Sequence, residues 1–206
     1  TEIYTLSLHD ALPISAEIDA LLLDVDGVLM TSRRPLPGSR ELVAALREHH
    51  IPFLLLTNDG CNSPGQKLAD LAHSGLEFQP GELVSCGHAL EECVAEQGWQ
   101  GDTFFLMGDL GDPCYAHAAR LRTTRDPAAL DGGTCRGILI GEKSYDWEPT
   151  ITAVFNFLVR QPDAPVIVPN PDIFFPLADG RRHPASGATA GFLGLLCRAC
   201  SISLEP

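Results

Sequence analysis

Positive charge is scarce in this chain of 206 residues: lysine occurs only at Lys67 and Lys143, and lysine plus arginine total 14 against 27 acidic residues. The formal net charge of −13 argues against nucleic-acid binding, because such proteins need a basic face to displace counterions from a phosphate backbone. A small anionic substrate stays compatible if a metal ion supplies local positive charge. Long apolar runs are missing too. No stretch reaches the roughly 18 residues of a membrane-crossing helix, so no membrane association is expected.

A disulfide framework is also absent. The seven cysteines, Cys61, Cys86, Cys93, Cys114, Cys135, Cys197 and Cys200, are odd in number and scattered, as expected of reduced thiols in the cytoplasm. Cys197 and Cys200 form a CxxC, yet no second Cys or His pair at ligand spacing accompanies it, so they read as small packing residues on a helix rather than zinc ligands. There is no low-complexity linker and no internal repeat.

The first 15 residues, "TEIYTLSLHDALPIS", resemble the conceptual translation of a common short-read sequencing adapter. They are set aside as non-native, and His9 and Asp10 with them.

What remains alternates apolar runs with amphipathic stretches. "IDALLLDV" and "IPFLLLTND" read as buried strands. Between them "PGSRELVAALREHH" reads as a helix with Leu42, Val43 and Leu46 on its apolar face, which makes a parallel βαβ unit. A helix near "PGQKLADLAHSG", a strand near "ELVSC" and a helix near "HALEECVAEQG" follow. From residue 101 a second set begins: strands at "TFFLMG", "RGILIG" and "APVIVPN", with helices at "CYAHAARLR" and "PTITAVFNFLVRQ". The expected fold is α/β, with two units in series.

The first strand carries the chemistry. In "LLLDVDGVLM", Asp24 and Asp26 stand two residues apart, so on a strand both carboxylates point to one face. In open α/β sheets ligands sit beyond the carboxyl ends of strands, and the second strand delivers Thr57 and Asn58 to its own end. A divalent cation can share two carboxylates, and Mg²⁺ prefers one or two of them plus waters and substrate phosphate oxygens. One carboxylate can attack phosphorus to form an aspartyl-phosphate. A second can protonate the leaving oxygen and later deprotonate water.

"DVDGVL" and "LLLTN" resemble the first and second motifs of the haloacid dehalogenase superfamily of phosphohydrolases. "GEKSYDWE" and "PNPDIFFPLADGRRHPASGATAGFL" are similar to its branch with a large α/β cap, the capped subfamily IIA containing p-nitrophenyl phosphatase, phosphoglycolate phosphatase and nucleotide phosphatase relatives. The resemblance implies a Rossmann-like core over residues 16–100, in part, with a cap over 101–206. It implies Asp24 as nucleophile and Mg²⁺ ligand, and Asp26 as acid/base whose backbone carbonyl also binds the metal. Thr57 and Asn58 are implied as phosphate binders. Gly27 would permit a tight turn into a flap, and the cap loop from Asp172 to Gly180 would carry the specificity residues Phe174 and Phe175. The implied partner is a small phosphorylated metabolite, with homodimer formation through the cap.

Two family elements are missing from the sequence: a third-motif lysine and a fourth-motif acid. Neither Lys67 nor Lys143 lies where the third motif belongs. The chain is therefore expected to be a fragment cut just before that motif, with its first strand left as an apolar edge and its own activity lost. The alternative is a catalytically inactive fragment or ligand-binding remnant. "FFLMGDLGD" could instead be a fourth motif with Asp109 and Asp112 as ligands in a capless member, but the cap-like stretches would then go unexplained. A phosphoacceptor receiver domain fits less well, because its acceptor sits on a later strand.

Overall fold

The computed structural model describes residues 19–31, 33–142, 145–177 and 180–204. The leading segment with His9 and Asp10, and Lys143, lie outside the described residues. The chain divides into two compact units. One runs to Thr57 and resumes over Lys67–Val84; the other comprises Asn58–Gln66 and Ser85–Pro206.

The first unit is built on β1 (Leu21–Asp24), β4 (Phe53–Thr57) and β5 (Leu83–Ser85), in the order β1-β4-β5. The hairpin of β2 (Met30–Thr31) and β3 (Arg34–Pro35) and then α1 (Ser39–Glu48) lie between β1 and β4, and α2 (Pro64–His73) follows β4. β1 and β4 run parallel, with Leu21 opposite Phe53 and Asp24 opposite Leu56. Val43 and Leu46 of α1 are buried as the periodicity predicts. Val43 packs with Leu55, Leu71, Leu76 and Leu83 in one cluster on the covered side of the sheet. The other side departs from the expectation of fully buried strands: Leu22 is 65% exposed and Leu54, Leu56 and Val84 are exposed as well. All lie on alternate strand positions, so one apolar face is covered and the other is not, among the described residues.

The second unit carries four parallel strands, β6 (Thr103–Met107), β7 (Arg122–Thr124), β8 (Gly137–Ile140) and β9 (Val166–Ile167), in the order β7-β6-β8-β9. Its helices are α3 (Cys86–Gln97), α4 (Tyr115–Ala118), α5 (Ala128–Asp131), α6 (Trp147–Arg160) and α7 (Ser186–Ala199), and a hairpin of β10 (Phe174–Pro176) and β11 (Arg182–Pro184) precedes α7. Here apolar runs are buried on both faces. Phe105, Met107, Ile138 and Ile140 pack in one cluster with Val154 and Phe157 of α6 and Leu193 and Cys197 of α7. Phe104, Leu106 and Leu139 pack in another with Leu90 and Val94 of α3 and Tyr115 and Ala116 of α4. Cys197 is therefore a core residue, whereas Cys200 is exposed.

The helix expected over "CYAHAARLR" is shorter than its periodicity suggests. It stops at Ala118, Arg120 takes a left-handed φ of 61°, and Arg122 turns its N–H to Asp102 O at 2.9 Å. β7 follows with the sequence Arg-Thr-Thr, too polar and short to announce a strand. No described helix is long and apolar enough to cross a membrane.

Two predictions test this packing. Phe157 is fully buried, so Phe157→Ala should destabilise the second unit by about 3–5 kcal/mol, read as a lowered denaturant midpoint; a loss within error would show that the cluster is not tightly packed. Cys86 Sγ lies 3.6 Å from Tyr115 Oη, and burial pushes both groups up, Cys86 from an ordinary 9.0 and Tyr115 from 10.0. Both stay protonated in the folded chain where the unfolded chain has begun to ionise, so stability is full below those ordinary values and falls as pH rises above them. The thermal midpoint should drop between about pH 9 and 11, and Cys86→Ala with Tyr115→Phe should flatten that limb. An unchanged slope in the double variant would rule out these two groups as its source.

Candidate active site

β1 ends at Asp24, and its carboxylate Oδ1 accepts the Val25 N–H at 2.8 Å. The chain then turns sharply. Gly27 sits at φ 91°, a conformation that L side chains reach only with strain. Its N–H meets Met30 O at 2.8 Å. This turn holds Asp26 beside the sheet end, with its side chain 53% exposed.

Two donors converge on a single oxygen of Asp26. Thr57, buried at the end of β4, places Oγ1 3.5 Å from Asp26 Oδ2. Lys67 of α2 places Nζ 2.5 Å from the same Oδ2. The lysine side chain is only 6% exposed, and on α2 it shares a buried face with Leu71 one turn on. A nearly buried ammonium needs a compensating charge, and Asp26 provides it. Lys67 was set aside in the sequence because it lies far from the expected lysine motif. The available signal was different: a lysine in phase with the apolar positions of an amphipathic helix.

The remaining sequence candidates fall in the second unit. Asn58 Nδ2 donates to Asp172 Oδ2 at 2.5 Å. Asp172 N–H reaches Asn170 Oδ1 at 3.0 Å, and Asn170 Nδ2 reaches Glu142 Oε1 at 2.8 Å. Ser186 Oγ lies 2.8 Å from that Glu142 oxygen. Glu142, Asn170 and Ser186 are all buried, so this chain of polar contacts fixes the loop before β10 from beneath. Gly187 is required there: a Cβ would meet Pro171 O at 2.1 Å. Phe174 is exposed, with the Arg182 guanidinium 5.4 Å from its ring centre. Phe175 stacks on His183 at 5.1 Å. Both phenylalanines thus sit on the β10–β11 hairpin. Asp109, the rival metal ligand, is engaged by Arg125 at 2.7 Å, and Asp112 N–H bonds Gln66 Oε1 at 3.0 Å.

The donors at the end of β1 suit Mg²⁺. Asp24 offers hard carboxylate oxygens and Asp26 a main-chain carbonyl, and Mg²⁺ takes one or two carboxylates with water and phosphate completing its shell. The Lys67 contact to the Asp26 side chain leaves that carbonyl uninvolved in the ion pair. Among the described residues no three His, Cys, Asp or Glu side chains cluster as a self-sufficient metal site.

Comparison with known proteins bears on the family and the fold. Residues 21–121 match the family of haloacid dehalogenase-like hydrolases. The dihydroxyacetone phosphatase of Corynebacterium glutamicum is 28% identical over 174 residues, covering 84% of this chain and 58% of that protein. Among solved structures, the p-nitrophenyl phosphatase of Archaeoglobus fulgidus superposes with a TM-score of 0.73 at 22% identity, covering 91% of this chain and 67% of that one. The glycerol phosphate phosphatase of Mycobacterium tuberculosis in complex with magnesium gives a TM-score of 0.73 at 20% identity, covering 93% and 55%. The chain spans less than two thirds of the length of the curated relatives it matches. With Asp24 and Asp26 at the end of β1, Thr57 at the end of β4 and the family match running through both, residues 21–121 carry the match to the haloacid dehalogenase-like hydrolases.

Proposed function

We propose that this chain carries the nucleophile half of a Mg²⁺-dependent phosphomonoesterase acting on a small phosphorylated metabolite of the sugar-phosphate or glycerol-phosphate kind. The observation that carries the reading is the grouping of Asp24, Asp26 and Thr57 at the ends of two parallel strands. Residues 16–100 supply the core part and 101–206 the cap in this reading, with Phe174 and Phe175 setting specificity and the cap as the surface for a homodimer. The cytoplasm is its compartment.

Asp24 is the nucleophile. Its Oδ1 is held by the Val25 N–H, which orients the carboxylate so that an oxygen can attack phosphorus and form an aspartyl-phosphate. Asp26 donates a proton to the departing alkoxide oxygen, then withdraws one from the water that hydrolyses the intermediate. Thr57 and Asn58 hold phosphoryl oxygens as charge redistributes in the transition state. Bound Mg²⁺ would screen the negative charge shared by Asp24 and the phosphoryl group. The names of the relatives support the substrate class, since they act on dihydroxyacetone phosphate, p-nitrophenyl phosphate and glycerol phosphate.

The test is phosphate release from dihydroxyacetone phosphate, glycerol phosphate and p-nitrophenyl phosphate, with Mg²⁺ and with EDTA, by this chain completed with the third- and fourth-motif segment of a relative. Asp24→Asn should remove turnover altogether, and Asp26→Ala should lower it by about 10²–10⁴-fold. Full activity in Asp26→Ala would remove the acid/base role. The absence of hydrolysis across the panel by the completed chain would instead favour a ligand-binding role.

A further inference from the structure

Nothing in the family match accounts for Lys67. It is one of two lysines in a chain of net charge −13, and its burial sets it apart from the lysine and arginine side chains otherwise described. The arginines in ion pairs, Arg33, Arg47, Arg125, Arg136 and Arg160, have side chains at least 44% exposed. Lys67, at 6%, places its ammonium against a carboxylate oxygen of the candidate active site. Exposed pairs of the arginine kind contribute little. A cation taken this far out of water is placed at a cost in desolvation.

The geometry around Asp26 Oδ2 is that of an anion seat. Lys67 Nζ lies 2.5 Å away and Thr57 Oγ1 3.5 Å away, so an ammonium from a helix and a hydroxyl from a strand end converge on one negatively charged oxygen. A non-bridging phosphoryl oxygen carries the same kind of charge and accepts the same donors. Carboxylate and phosphoryl oxygens are thus interchangeable ligands for this pair of groups. The occupant is also the more solvent-exposed partner: the Asp26 side chain is 53% exposed, so the carboxylate side, and not the lysine, is open to exchange.

We propose that Lys67 Nζ and Thr57 Oγ1 form the seat for one oxygen of the substrate phosphoryl group, and that Asp26 Oδ2 holds this seat until a phosphate takes it. Entry of the phosphoryl oxygen displaces the Asp26 carboxylate towards the leaving-group side, where an acid is needed. Lys67 therefore contacts the substrate itself, from a helix that follows the second motif directly. The identity of the anion rests on the phosphatase reading.

Binding of inorganic phosphate tests the seat without turnover. The 206-residue chain and its variants are titrated with orthophosphate at constant ionic strength, balanced with chloride and with Mg²⁺ present throughout, and binding is read by calorimetry and by the shift in Tm. Asp26→Ala vacates the seat and should tighten phosphate binding by about tenfold or more, the scale of one lost competing charge contact. Adding Lys67→Met should reverse that gain, and adding Lys67→Arg in its place should keep most of it. Circular dichroism monitors folding, and Asp26→Asn gives a second route to the vacated seat. A gain that survives Lys67→Met, or no phosphate binding by any folded variant, overturns the proposal. Lys67-dependent phosphate binding without ester hydrolysis by the completed chain keeps the seat and removes the phosphatase reading; hydrolysis by the completed chain with Lys67-independent phosphate binding does the reverse.

Discussion

The parallel register of β1 and β4 is the constraint on which the candidate site depends. Asp24 is opposite Leu56, so the next residue of β4, Thr57, and the two residues after β1 emerge together at the same end of the sheet. Parallel pairing alone does this; an antiparallel partner would carry Thr57 to the opposite end. Because side chains alternate along a strand, a slip of one residue would turn Asp24 and Thr57 to the wrong faces. The leucines that pair across this register are thus part of the site's construction, although none of them touches a ligand.

The turn after β1 adds the second constraint. Two carboxylates in successive same-face positions would repel if the strand simply continued. The chain instead leaves the strand at Asp24, passes through Gly27 at positive φ and forms an isolated bridge between Asp26 and Met30. Asp26 is thereby directed towards Lys67 rather than left beside Asp24 as a second strand residue. One glycine and one helix-borne cation thus shape the surroundings of Asp26, two residues from Asp24 in the sequence. Distinct environments are what allow two carboxylates to take different chemical roles.

Much of this was legible in the sequence, and the exceptions have physical causes. The DxD strand end, the threonine at the next strand end and the helix carrying Val43 and Leu46 all rest on local periodicity, and the structure places them as the periodicity predicts. The continuous burial of β6 and β8 followed from their apolar runs in the same way. β1 and β4 show the limit of that inference. Their runs are as apolar, yet one face is exposed, because an apolar run records what a strand can bury and not how many layers cover it. β7 escaped notice because two threonines and an arginine carry no period. Lys67 escaped because the pairing that gives it meaning spans 41 residues of sequence, which no local pattern contains.

The poverty of positive charge sharpens the meaning of that pairing. With 27 acids against 14 bases, most carboxylates must be solvated, and a buried cation is not needed to balance the surface. A lysine is also better suited than an arginine to the seam between α2 and the sheet. Its four-carbon stem can run along apolar surface, with only the ammonium requiring polar partners, whereas a guanidinium would bring five donors into the same space. An apolar residue in phase with Leu71 would have served the packing with no desolvation cost. The helix instead carries a charge there, and that charge ends on Asp26 Oδ2 within reach of Thr57. Stability alone does not favour such an arrangement, since well-packed hydrophobic replacements of buried ion pairs are often neutral or stabilising. On the phosphatase reading proposed above, the requirement is chemical: two acids and a phosphate dianion would concentrate more negative charge at one strand end than a divalent cation alone would offset.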